Sequence, residues 1–65
     1  MKTILEIAQS QVGGREFFSF FIDGEYIQEY PTLQEALESA HENAEAYEKP
    51  IFQLDVNGVI YKLSR

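Results

Sequence analysis

The chain has 65 residues, with 11 acidic against 5 basic side chains and a formal net charge of −6. A chain this short is one domain with little stability to spare, but five phenylalanines and four tyrosines can supply a packed core. The charge disfavours direct binding to nucleic acid or to an anionic membrane, and it either favours a basic partner protein or simply aids solubility.

Cysteine is absent from the sequence. This excludes disulfides, thiolate metal sites and a cysteine nucleophile, and it favours a cytoplasmic setting over a secreted one. We find no signal-peptide pattern and no apolar run of membrane-spanning length. We expect no cofactor, because the sequence has neither a phosphate-binding loop nor a dinucleotide-binding fingerprint.

Three strands are predicted first, over residues 4–10, 17–22 and 26–30. Gly13-Gly14 and Asp23-Gly24 lie between them, and both dipeptides suit two-residue hairpin turns that need positive φ. Such turns fix the register, so facing residues can be assigned. The face expected to lie against a helix contains Leu5, Ile7, Phe18, Phe20, Ile22 and Ile27.

The opposite face of these strands is predicted to carry aromatic pairs. The register places Phe17 opposite Tyr30 and Phe21 opposite Tyr26. Exposed aromatics among small polar residues are typical of an interface with a partner, or of a homodimer formed through this sheet face. Cross-strand pairs that only stabilise the sheet are the alternative. Base stacking is disfavoured by the charge.

A helix is predicted next. Thr32 and Glu35 fit a capping box, and Pro50 predicts an end near Glu48. One apolar stripe follows at helical spacing. It contains Leu33, Ala36, Leu37, Ala40, Ala44 and Tyr47.

Four glutamates recur along the predicted helix at spacings of three, four and three residues. They are Glu35, Glu38, Glu42 and Glu45. We call this line the acidic ridge. It is about 15 Å long, and no lysine or arginine lies between its members. Such a row can imitate a phosphate backbone and occupy a basic groove, although a solvated helix face would look the same.

Two further strands, residues 51–56 and 59–63, are predicted around Asn57-Gly58. The register pairs Val56 with Val59, Leu54 with Tyr61 and Phe52 with Leu63, and we expect this face to be core. The elements together predict an α+β fold. The order is β-β-β-α-β-β, with an antiparallel sheet of about five strands and one helix on one face, in a single domain over residues 1–65.

His41 is the one histidine, at the flank of the helical stripe. A metal site would need several carboxylates near it, so we expect a boundary histidine with a local hydrogen bond and no metal. No nucleophile with an adjacent base is evident, and so small a domain has little volume for a substrate pocket. The sequence therefore predicts no catalytic residues and no enzyme.

The motif Thr32-Leu33-Gln34-Glu35-Ala36, continued through Ala44 to Tyr47, resembles the helix of HicB-type antitoxins. The resemblance implies a helix between a three-stranded meander and a further strand, and binding to a basic RNA-cleaving toxin. In size and charge alone the chain is also similar to phage-encoded inhibitors of host defence, including anti-CRISPR proteins. We therefore expect an inhibitory or modulatory protein-binding module. It would be steered by the acidic ridge and anchored by Phe17, Phe21, Tyr26 and Tyr30. A homo-oligomeric structural protein is the alternative.

Overall fold

A computed structural model describes residues 2–63 of the chain. These residues form one sheet and one helix, which confirms the α+β class and the predicted order of elements. Within that range, no helix combines the length and the apolar character needed to cross a bilayer. The elements are β1 (Ile4–Val12), β2 (Arg15–Ile22), β3 (Glu25–Tyr30), α1 (Leu33–Ala44), β4 (Ile51–Val56) and β5 (Val59–Leu63).

The sheet is mixed, with strand order β3-β2-β1-β4-β5. Strand β1 pairs antiparallel with β2 but parallel with β4, so the prediction of a purely antiparallel sheet is wrong at this pair. The helix explains the difference. Its 12 residues span about 18 Å, close to the length of a six-residue strand. The chain therefore returns to the end of the sheet where β3 began, and β4 runs in the direction of β3 and β1.

All three hairpin turns have the predicted two-residue form. Asp23 and Gly24 have φ values of 51° and 86°, and Asn57 and Gly58 have values of 55° and 80°. The predicted registers of the β1–β2 and β4–β5 hairpins are confirmed. Asp23 also fixes the start of β1. Its N–H donates to the carbonyl of Ile4 at 2.8 Å, and its Oδ1 accepts from the Ile4 N–H at 2.8 Å.

The core lies between α1 and one face of the sheet. Phe20 is 0% exposed, and small side chains at Ala36 and Ala40 let the helix approach the strands closely. Ile22 packs against this core from its edge. The predicted helix-side face is thus confirmed for β1 and β2. The buried hydrophobic residues are Leu5, Ile7, Phe18, Phe20, Ala36, Ala40, Ala44 and Phe52.

Strand β3 departs from the predicted register through a β-bulge. The pairing shifts between Phe20 and Phe21, so that Phe20 lies opposite Gln28 instead of Ile27. Ile27 becomes the extra residue and is exposed, which makes its predicted place in the core wrong. Beyond the bulge every residue changes face. Tyr30 pairs with Phe18, not Phe17, and packs against the core.

The helix begins where the capping box predicts. Thr32 Oγ1 accepts a hydrogen bond from the Glu35 N–H at 3.3 Å and donates one to Glu35 Oε2 at 3.0 Å. The helix ends at Ala44, four residues before the predicted end. The last turn closes early, because the Tyr47 N–H bonds to the carbonyl of Ala44 at 3.1 Å. Tyr47 consequently leaves the apolar stripe and is exposed.

The helix packs mainly on β1, β2 and β3 and reaches β4 at Phe52, so β5 extends beyond its cover. Val59, Ile60 and Tyr61 are 49%, 55% and 51% exposed. The prediction that Val59 and Tyr61 are core is therefore wrong. The predicted core position of the Leu63 side chain lies outside the described residues.

Candidate binding surfaces

The acidic ridge forms on the exposed side of α1. Glu35, Glu38, Glu42 and Glu45 are all exposed, and α1 contains no lysine or arginine. Glu35 is partly occupied by the cap, because its Oε2 accepts the hydrogen bond from Thr32. Glu45 is the C-cap residue and keeps helical dihedral angles, φ −64° and ψ −20°. All four glutamates therefore lie on one line, as predicted.

The ridge does not stabilise the helix that carries it. Like charges at spacings of three and four residues destabilise a helix by a few tenths of a kcal/mol per pair. Glu45 also places a negative charge at the negative end of the helix dipole, which is unfavourable. The arrangement concentrates negative potential along one side of the protein, at a small loss of helix stability.

The aromatic face of the sheet is smaller than predicted. Phe17 and Phe21 are half-buried, while Tyr26 is 54% exposed. The rings of Phe21 and Tyr26 meet edge to face, with centroids 5.9 Å apart and planes at 69°. This geometry is typical of a stabilising aromatic pair. Tyr26 is the most accessible aromatic that remains on this face.

Tyr30 is no part of the aromatic face, so its predicted placement there is wrong. The bulge in β3 turns it towards the helix, where its hydroxyl donates a hydrogen bond to Ser39 Oγ at 2.6 Å. The ring packs against the core and the hydroxyl fixes β3 to the middle of α1. Tyr30 thus connects the sheet to the helix.

The acidic ridge and the aromatic face lie on opposite sides of the molecule. The sheet packs one of its faces against α1, and Phe21 and Tyr26 belong to the other. The ridge faces away from the sheet altogether. A flat partner surface therefore cannot contact both at once. The acidic ridge and the aromatic face cannot belong to one such interface, and each has to be considered as a separate contact.

A third exposed surface, which the sequence analysis missed, is the apolar hairpin edge formed by Val59, Ile60 and Tyr61. Successive residues point to opposite faces of a strand, so this edge is apolar on both faces. The signal was present in the sequence, because a strand with one solvated face should alternate, and Ile60 interrupts that alternation. It lies opposite Asp55 on the face expected to be polar.

An open cleft of about 420 Å³ lies at the end of the sheet where β1, β2 and β3 meet. Its charged residues, Arg15, Glu16 and Glu29, are exposed to solvent. Small-molecule sites typically enclose most of their ligand, and this cleft is too open to do so. The lining residues are Val12, Arg15, Glu16, Phe17, Glu29, Tyr30 and Pro31.

His41 covers part of the core from the helix. Its ring lies against Phe52, with centroids 4.9 Å apart and an interplanar angle of 37°. Within residues 2–63 we find no group of three or more histidine, aspartate and glutamate side chains that could hold a metal ion. The observed contact gives His41 a packing role over β4.

No protein-family model, curated protein or solved structure matches this chain. The resemblance of the helical motif to HicB-type antitoxins therefore stays a prediction, as does the similarity in size and charge to phage inhibitors. The candidate surfaces have to be interpreted from their own chemistry.

Proposed function

We propose that this protein is a small acidic binding module that attaches through its acidic ridge to a basic surface of a partner protein, and so inhibits or modulates that partner. One observation supports the proposal above the others. Four exposed carboxylates lie on one line along α1 and its C-cap, and α1 has no lysine or arginine to neutralise them.

The mechanism follows from charge and spacing. A long-range negative potential attracts a basic partner and orients it before contact, which raises the association rate more than it slows dissociation. Carboxylates at intervals of one helical turn offer acceptors to arginine and lysine side chains in the way that successive phosphates do. A partner that itself binds nucleic acid would have its groove occupied. Inhibition by competition is the expected result.

The biological setting is part of the proposal. An antitoxin-like role fits the helical motif that begins at Thr32, and a phage anti-defence role fits the small size and the charge of −6. Both settings supply a basic, nucleic-acid-binding target. In either one the module would act by occupying a surface, without catalysis.

Self-association through the aromatic face is the second candidate, and the exposure of Tyr26 favours it. In that case the ridge only keeps the assembly soluble. Replacing Phe21 and Tyr26 by serine separates the candidates. A mass in solution that falls from dimer to monomer supports the structural role. An unchanged mass in solution, with partner binding retained, supports the ridge.

The decisive experiment compares two double variants with the same net charge. Glu38→Lys/Glu42→Lys reverses the middle of the ridge, whereas Glu25→Lys/Glu29→Lys reverses two exposed glutamates of β3. Each tagged protein is used to capture partners from extract of the native host at low salt, and the captured protein is then eluted with a salt gradient. Because the net charge changes equally in both variants, any difference in partner capture must come from the position of the substituted residues.

We expect the ridge variant to lose the captured protein and the β3 variant to keep it. The partner of the wild type should elute as salt rises, since screening weakens exposed charge pairs, and it should have a basic isoelectric point. Equal loss from both variants would show that only net charge matters. Retention by the ridge variant would refute the proposed surface.

A further inference from the structure

The free edge of β5 is open for hydrogen bonding. In a two-residue hairpin the residues that flank the turn form a hydrogen-bonded pair, and such pairs alternate along the ladder. Val59 and Tyr61 therefore bond inward to β4, opposite Val56 and Leu54. The backbone N–H and C=O groups of Ile60 and Lys62 consequently point away from the sheet. An edge of this kind is a template for another strand.

The two edges of the sheet differ in their protection. Strand β3, at the other edge, has a bulge beside Ile27 and exposed charges at Glu25 and Glu29, and Pro31 follows it. Bulges, charges and proline are the usual means of blocking edge-to-edge pairing. Strand β5 has a regular register, and its one charged side chain among the described residues is Lys62. Only the β5 edge is left suitable for pairing.

The distribution of charge along the chain favours the hairpin as the place where a second copy of this chain can bind. Of the 11 acids and 5 bases in the chain, residues 1–50 contain ten acids and three bases, whereas residues 51–65 contain Asp55 against Lys62 and Arg65. Two acidic molecules repel each other over most of their surfaces. They meet with least repulsion at the hairpin, where the apolar edge also lies.

We infer that two copies of this chain form a symmetric dimer through antiparallel pairing of their β5 strands, which joins the two sheets into one. A register centred on Tyr61 lets Ile60 of each copy exchange both backbone hydrogen bonds with Lys62 of the other. Tyr61 then lies opposite Tyr61 of the other copy, with Ile60 opposite Lys62 and Val59 opposite position 63. The contact is isologous, so it closes after two copies and does not grow into a fibre.

The dimer places both helices on the same face, because the two-fold axis of a continuous antiparallel pair is perpendicular to the sheet. If the proposed function is correct, two acidic ridges then face one way, and a partner with two basic sites could bind both at once. This consequence depends on the proposed function, but dimerisation does not. The interface is a single short strand pair, at the small end of specific interfaces, so we expect a dimer that dissociates on dilution.

The test is the mass in solution by sedimentation equilibrium, from micromolar to millimolar protein. The wild type should pass from monomer to dimer as the concentration rises. Ile60→Lys should stay monomeric throughout, because it places a positive charge directly opposite Lys62 of the other copy. The matched control is Ile27→Lys, at an isoleucine of the other edge strand that is 43% exposed against 55% for Ile60, and it should dimerise as the wild type does. Thermal unfolding checks that both variants fold.

Amide hydrogen exchange of the wild type gives a test without any substitution. The N–H groups of Ile60 and Lys62 should be protected at high protein concentration and exchange at least tenfold faster on dilution, while amides of β3 should not respond. A wild type that stays monomeric at millimolar concentration would overturn the inference. So would a dimer that survives Ile60→Lys, or one that is lost when Phe21 and Tyr26 are replaced by serine.

Discussion

The half of the molecule built from β1–β3 and α1 differs from the β4–β5 hairpin in what covers it. Strands β1 and β2 and the helix supply every buried hydrophobic residue of the described chain except Phe52, and Tyr30 of β3 packs against them. The hairpin shares the sheet and its hydrogen bonds, yet Val59, Ile60 and Tyr61 remain half exposed. The same apolar residue types thus form a core in one half and a surface in the other.

The difference shows that a strand pattern reports which residues share a face, while burial depends on how far the covering layer reaches. A helix is about 10 Å wide and neighbouring strands are about 4.8 Å apart, so one helix covers two or three strands. The sheet has five. The chain has only one helix among its described elements, and that helix packs mainly on the first three strands.

The sharpest test of this comparison replaces one aromatic residue in each half. Phe20→Ala should lower the free energy of unfolding by about 3–5 kcal/mol, because it opens a cavity beneath the helix. Tyr61→Ala removes a half-exposed ring and should lower it by about 1 kcal/mol or less. Urea denaturation followed by circular dichroism measures both.

These two variants must be compared at one low protein concentration, where the β5 edge is unpaired. If Phe20→Ala abolishes the cooperative transition, Phe20→Leu gives a measurable intermediate loss at the same position. Similar losses for Phe20→Ala and Tyr61→Ala would show that the hairpin is covered as well as the rest of the sheet, and the comparison would fail.

A smaller loss of stability is expected when the contact that joins β3 to the helix is removed. Tyr30→Phe keeps the packed ring but removes the hydroxyl that donates to Ser39 Oγ, and it should lower the free energy of unfolding by about 1 kcal/mol. Tyr61→Phe, in the hairpin, is the control and should change it by a few tenths at most. Equal losses in the free energy of unfolding for Tyr30→Phe and Tyr61→Phe would mean that the hydrogen bond from the Tyr30 hydroxyl to Ser39 does not stabilise the fold.

The smallest expected change is a gain in the free energy of unfolding. Glu42→Lys replaces a like-charge neighbour of Glu38 by an attractive pair at the favourable spacing of four residues, so stability should rise by about 0.3–0.5 kcal/mol at low salt. The gain should shrink as salt is added, because the charges are exposed. Thermal unfolding at two salt concentrations measures this. A loss of stability would show that Glu42 makes a favourable contact in the folded protein.

The sequence predicted what local chemistry determines. The turn dipeptides Gly13-Gly14 and Asn57-Gly58 gave two hairpins in their correct registers, and Thr32 gave the start of the helix. The bulge in β3 was missed, because it depends on the gain from burying the large Tyr30 ring and pairing its hydroxyl with Ser39. Those contacts are between elements, and no short-range pattern in β3 reports them.

The candidate surfaces were predicted to a similar degree. Helical spacing alone placed the acidic ridge, since an exposed helix face needs no partner within the fold. The aromatic face depended on the register of β3, so one bulge removed Tyr30 from it. The apolar hairpin edge was missed because Val59 and Tyr61 were assigned to the core on their pattern, without asking whether the helix reaches them.

The parallel pairing of β1 with β4 has a consequence for how this protein is made. Glu6 and Gln53, neighbours in that pair, are separated by 47 positions along the chain. As the ribosome delivers the chain from its N-terminus, one side of β1 stays unpaired until β4 has been translated and has emerged. The central ladder of the sheet is therefore among the last to close, and a nascent chain stalled before Ile51 would present β1 to whatever chaperone or neighbour reaches it first.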